Sequence, residues 1–132
     1  MSLESARQRA RLWLLQAKDD LRAARLLEAG GQPAQACFLA QQVGEKALKA
    51  LLAAEDRDLR SHSLTGLLRE LGDQPAQDWQ RQARLLDKLY APTRYPDALG
   101  DELPADVFGP EDATAALKAA TALLDWAGEQ LT

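Results

Sequence analysis

The stretch Ala36-Cys37-Phe38-Leu39-Ala40-Gln41-Gln42-Val43-Gly44-Glu45-Lys46-Ala47-Leu48-Lys49-Ala50-Leu51-Leu52 decides how the chain is read. At about 100° per residue, Ala36, Ala40, Val43, Ala47, Ala50 and Ala54 share one helix face. Cys37, Gly44, Leu48 and Leu52 share another, with Gln41 among them. Glu45, Lys46 and Lys49 lie in the strip between. A surface helix needs one apolar face. A helix with two belongs at the centre of a bundle or against a partner chain.

Outward from this helix, the pattern stays helical. Upstream, Ala6, Ala10, Trp13, Ala17, Leu21 and Ala24 form the stripe of a helix over roughly Ser5 to Ala29. Gly30-Gly31 ends it, and Pro33 opens the central helix, which runs to about Ala54. Residues 55–62 are polar and aperiodic and are expected to be a loop. Ser61 or Ser63 is placed to cap a short helix from Leu64 to Leu71, closed by Gly72. Pro75 is expected to start a third main helix with Ala76, Trp79, Ala83, Leu86 and Tyr90 inward. Residues 91–110 hold four of the six prolines and two glycines and read as a loop. Pro110 starts a last helix, with Ala113, Ala116, Leu117, Ala120, Leu124 and Ala127 inward and an expected end at Gly128. No strand-like alternation or internal repeat appears. Residues 1–132 are therefore expected to form a single all-α domain, an up-and-down bundle in which alanine faces bring helices close. Trp13, Trp79 and Trp126 are expected to fill the wider gaps.

The 132 residues suffice for a real core, and no apolar run approaches the length of a membrane span. Met1 to Arg11 carry charge and no apolar block, so no secretory signal is expected and a cytoplasmic location is the default. A lone cysteine, Cys37, excludes an internal disulfide and a cysteine-based metal site. Its place on a helix face suits a small buried hydrophobe. The net charge of −4 hides an asymmetry. Residues 97–132 carry eight acids and one lysine, whereas residues 1–96 carry fifteen basic and twelve acidic side chains.

Little classical machinery is present. There is one histidine, His62, no paired Glu-x-x-His motif, no phosphate loop and no Gly-x-Ser-x-Gly elbow. Metal and cofactor are expected to be absent. Three polar sets remain. In Tyr90-Ala91-Pro92-Thr93-Arg94-Tyr95-Pro96-Asp97, prolines on both sides restrict the backbone around Arg94. An arginine so held beside aromatics suits a phosphate or a base, or else pairs with Asp87 or Asp97 to pin the loop. Arg81, Arg84 and Lys88 form a basic stripe leading toward it, which is either a solvated face or a nucleic-acid track. Arg57 and His62 complete the set across the loop after the central helix.

These residues resemble a HEPN domain of the small stand-alone prokaryotic type. Trp13, Ala17 and Asp20-Leu21 resemble its first helix. Ala40 to Leu52 resembles its most distinctive block, and His62-Ser63-Leu64 with Leu67-Leu68 its histidine-containing turn. Tyr90 followed by Arg94-Tyr95-Pro96-Asp97 is similar to the family's Tyr…Arg-Tyr-Pro-Asp signature. The resemblance implies a four-to-five-helix up-and-down bundle, commonly homodimeric. Such proteins are often encoded beside a minimal nucleotidyltransferase, in toxin–antitoxin pairs. Many relatives are metal-independent ribonucleases using Arg-x(4–6)-His. Here no histidine follows Arg94, Arg57-x4-His62 lies in a different loop, and Ser63-Leu64 stand where nucleotidyl-modified toxins carry a tyrosine.

Three functions are weighed. One is a nucleotide- or RNA-binding module working with a nucleotidyltransferase, with Arg94, Tyr95, Tyr90, Lys46, Lys49 and His62 as ligand-binding residues. Another is an endoribonuclease with His62 as general base and Arg57 or Arg94 stabilising the phosphate. The third is a structural dimer. A homodimer is expected from the second apolar face of the central helix and from the alanine-rich last helix.

Overall fold

The computed structural model describes residues 2–132 as an all-α bundle. Its helices are α1 (Leu3–Ala29), α2 (Pro33–Ala54), α3 (Leu64–Leu71), α4 (Gln74–Gln77), α5 (Gln80–Asp87), α6 (Pro104–Val107) and α7 (Pro110–Gln130), with a 3₁₀ turn at Pro96–Leu99. No strand forms among the described residues.

The hairpin of α1 and α2 follows from its punctuation. Ser2 caps α1 by accepting the Ser5 amide at 3.1 Å, so α1 starts slightly earlier than the apolar stripe indicates. Gly31 turns the chain at φ 77°, a left-handed conformation that glycine adopts without strain. Pro33 then sits at the start of α2. Both apolar faces of α2 are consumed inside the chain, because α2 packs against α1, α3, α5, α6 and α7. From Ala36 to Ala53, only Phe38, Leu39, Gln42, Lys46 and Lys49 escape full burial. The face that motivated a dimer through α2 is therefore the bundle's own centre. At Gly44 a Cβ would stand 2.5 Å from Leu64 Cδ2 and 2.8 Å from Leu86 Cδ1. Glycine there lets the fully buried leucines of α3 and α5 close on α2. Each such leucine contributes about 1.5–3 kcal/mol on burial.

The expected third main helix is broken. Asp73 caps α4 by accepting the Ala76 amide at 2.7 Å, and Pro75 lies in its first turn. The Trp79 amide then bonds back three residues, to Ala76 O at 3.1 Å, tightening the chain and interrupting the helix. This sets the Trp79 ring 5.4 Å from the Trp126 ring. The helix also stops at Asp87 rather than reaching Tyr90: the Leu89 amide bonds back three residues, to Leu86 O at 3.0 Å, and the Asp87 carboxylate faces the start of α3. It accepts the Leu64 and Thr65 amides at 2.6 and 3.2 Å and the Thr65 hydroxyl at 2.9 Å. Ser63 supplies the cap of α3, accepting the Gly66 amide at 3.1 Å. Residues 91–110 are more structured than a loop, since Pro96 and Pro104 each open a short helical turn. The last helix passes through Gly128 to Gln130.

Leu21, Val43, Ala47, Leu86 and Leu117 are buried as expected. Trp13 and Trp79 are only half-buried. Trp13 lies at the edge of its stripe, where its ring lies 5.4 Å from the Lys49 ammonium. Cys37 is fully buried, and burial first, then Asp112 and Glu28, push its thiol up to about 11.

Candidate functional site

The polar strip of α2 and the turn after α5 meet at one place. Gln41 and Glu45 are polar and charged side chains buried to 0% and 4% exposure. A buried carboxylate needs partners, and Glu45 has three. His62 Nδ1 stands 3.0 Å from Oε1, Gln41 Nε2 donates to the same oxygen at 3.4 Å, and Lys49 Nζ lies 3.1 Å from Oε2. Gln41 also donates to the His62 carbonyl at 3.1 Å, fixing the histidine's backbone. With Glu45 as acceptor, Nδ1 is the donor, and among the described residues Nε2 has no partner. The His62 side chain is 59% exposed, so that nitrogen serves solvent or a ligand.

The His62 ring stacks on Tyr90 at 4.7 Å and 17°. Tyr90 in turn borders Arg94. The Arg94 guanidinium lies 4.4 Å from the Phe38 ring, 4.8 Å from Tyr95 and 5.1 Å from Tyr90. Its turn is locked from within: the buried Thr93 hydroxyl donates to Leu89 O, and the Arg94 and Tyr95 amides both bond to Ala91 O. Among the described residues neither Asp87 nor Asp97 bonds Arg94, and no ion pair engages it. Asp87 is already committed to α3. Stacking on rings holds a guanidinium in place while leaving its in-plane N–H donors for a ligand. Beside it opens a cavity of about 580 Å³, walled by Phe38, Tyr95, Pro96, Leu103 and Pro104.

The other named residues sit differently. Lys46 pairs with Asp20, which also accepts from Gln16 Nε2 at 2.9 Å. Lys49 is neutralised by Glu45. Both lysines belong to the polar seam of α1 and α2, and Lys49 reaches the cluster only through Glu45. Arg57 bonds the Glu70 side chain and carbonyl, with Glu55 at 3.6 Å, and no contact joins it to His62 or Arg94. Four participants escaped the sequence reading as site residues: Glu45, Gln41, Phe38 and Asp20. Phe38, Gln42, Glu45 and Lys49 fall on one stripe at helical spacing, which is the signal that linked Phe38 to the strip. No group of three or more His, Cys, Asp or Glu among the described residues could hold a metal ion, and no helix there is long and apolar enough to cross a membrane.

Comparison with known proteins places the fold and the family. No curated protein matches the sequence. Among solved structures, TT1696 from Thermus thermophilus is 41% identical with a TM-score of 0.86, covering 92% of this chain and 97% of its own. ST0689, an archaeal HEPN homologue, is 37% identical with a TM-score of 0.80, covering 94% and 98%. A HEPN domain protein from Thermotoga maritima is 25% identical with a TM-score of 0.72, covering 90% and 96%. The family pattern for the HEPN domain matches residues 10–131, and with it the central helix, the histidine turn and the Arg94 turn; the chain belongs to the HEPN domain family.

Proposed function

We propose that the protein is a nucleotide- or RNA-binding module, and that Arg94 is its principal contact. One observation carries this reading. The Arg94 guanidinium rests on three aromatic rings, beside a cavity, without a carboxylate partner among the described residues. An arginine so placed offers charge-assisted bonds to a phosphate, and Tyr95, 49% exposed, offers a face to a base. His62, stacked on the Tyr90 ring that borders Arg94, offers a further polar group nearby. Membership of the HEPN family supports a cytoplasmic role beside a minimal nucleotidyltransferase, in a toxin–antitoxin pair. The test is titration of a labelled single-stranded RNA of about ten nucleotides and of a nucleoside monophosphate. Arg94→Ala should weaken the bound ligand at least tenfold while Arg69→Ala, on an exposed site of α3, changes little. Wild-type protein that binds neither probe ends this reading.

A second reading, metal-independent endoribonuclease, is favoured by a specific observation. Glu45 orients His62 as a base, and His62 and Arg94 both lie against the Tyr90 ring. In that reading His62 Nε2 takes the 2′-hydroxyl proton and Arg94 stabilises the phosphate. RNA cleavage in chelator, abolished by His62→Ala, would promote it over binding alone.

We also propose a homodimer, formed through α1 rather than α2. Leu12, Leu15 and Leu26 are 56%, 47% and 75% exposed on one side of α1. Sedimentation at micromolar concentration should show a dimer that Leu15→Glu dissociates; a wild-type monomer rejects the idea.

A further inference from the structure

We propose that the groove between α5 and the start of α7 is a second ligand site, distinct from Arg94. The geometry fits a polyphosphate joined to a planar, apolar body, the class to which nucleoside triphosphates belong. The groove has a volume of about 570 Å³, in the range of small-molecule sites. Arg81, Arg84 and Lys88 stand three and four residues apart on one stripe, with Leu85 beside them, and all line it. Phe108 forms part of the apolar lining with Leu85, which is 38% exposed.

This stripe opposes helix stability. Arg81 with Arg84, and Arg84 with Lys88, are like-charge pairs at the spacings where helical side chains meet. The acids nearby are already used. Asp78 accepts from Gln74 at 2.9 Å, and Asp87 holds the start of α3. Asp112, which lines the groove, accepts the Gly109 amide at 2.8 Å. Five cations elsewhere in the chain, Arg9, Arg22, Lys46, Lys49 and Arg57, each meet a carboxylate. Among the described residues no ion pair or side-chain hydrogen bond engages Arg81, Arg84 or Lys88. Three cations without an ion-pair partner therefore border an apolar floor in one concavity, with Asp112 as the only acid in its lining.

The spacing selects the ligand. The three positions cover about 10 Å of helix axis, a length that a row of several phosphates can follow. A chain of phosphates would align with the stripe, arginine forks gripping its oxygens. A planar body would lie on the Phe108 ring. Asp112 is the one charge in the groove that opposes an anion.

The experiment is calorimetric titration of the full chain with ATP and with inorganic triphosphate. Both should bind, ATP more tightly because of its base. Arg81→Ala with Arg84→Ala should weaken both at least tenfold with an unchanged melt. Asp112→Asn should tighten both severalfold. Phe108→Ala should narrow the gap between ATP and triphosphate, and Arg94→Ala should change neither. The proposal is overturned if wild type binds neither probe, or if the folded double variant binds ATP like wild type. It is equally overturned if the groove variants weaken only single-stranded RNA while ATP and triphosphate are ignored. Loss of ATP binding on Arg94→Ala alone would move the nucleotide to the Arg94 site and leave this groove empty.

Discussion

Arg57 and Arg94 are the same residue type on two turns that follow two helices, and they have opposite fates. Arg57 sits in the 55–62 loop with its guanidinium bound to the Glu70 carboxylate and carbonyl. Arg94 sits in the turn after α5 with rings against its faces and no acid on its edge. Spacing alone favours Arg57, because it precedes His62 by the interval of a ribonuclease motif. Environment favours Arg94. A guanidinium whose donors are already satisfied by the protein has few left for a phosphate, whereas one fixed through its faces keeps its edge free. Motif spacing thus identifies candidates, and the neighbours decide which are available.

The largest effect should come from beneath both turns. Leu86 is fully buried against Gly44 and adjoins Asp87, which anchors the histidine turn. Leu86→Ala should destabilise the fold by about 2–5 kcal/mol in urea unfolding. A change below about 0.5 kcal/mol, usual for surface positions, would mean that this leucine does not support the turns.

A subtler substitution sharpens the contrast at Arg94. Arg94→Lys keeps the charge and loses the flat face that stacks on Phe38, Tyr90 and Tyr95. RNA binding should fall about tenfold, or about 1.4 kcal/mol, with the melt nearly unchanged. Full binding by the lysine variant would reduce the site to a point charge.

Arg57→Ala should act the other way, through the scaffold. Its pair with Glu70 is partly exposed, 34% and 53%, so the loss should be about 0–1 kcal/mol, with RNA binding intact. If Arg57→Ala instead abolishes binding and leaves the melt alone, the comparison collapses and the spacing motif regains its claim.

The smallest effect at neutral pH belongs to Cys37. Its thiol is raised to about 11, by burial first and then by Asp112 and Glu28. The folded chain therefore keeps a proton that the unfolded chain releases near pH 9. The associated stability is fully present below pH 9 and declines as pH rises toward 11. Wild type should lose more stability over that window than Cys37→Ala, and alkylation of the native protein at about pH 8 should be slow. Rapid modification of folded protein would show that the thiol is reachable.

The helices were legible because their causes are local. Periodicity marked α1, α2 and α7, glycines and prolines marked their ends, and the double apolar face of α2 marked its central place. The rings and arginine of the Tyr90–Asp97 turn were legible for the same reason, being close in the chain. Glu45, Gln41 and Phe38 could be read as the edge of a helix, yet their role as supports of His62 and Arg94 needed partners 17, 21 and 56 residues away. The break at Trp79 was hidden because a helical pattern continues through it, and ring packing on Trp126 accompanies the interruption. Residue order alone was enough for an all-α bundle of the HEPN family and for the short turn that carries Arg94. Packing settled which cations are paired: Lys46, Lys49 and Arg57 meet carboxylates, and among the described residues Arg94 does not. Whether a charge is free depends on which carboxylates packing brings within hydrogen-bond reach, and that distance is set by the fold, not by the order of residues along the chain.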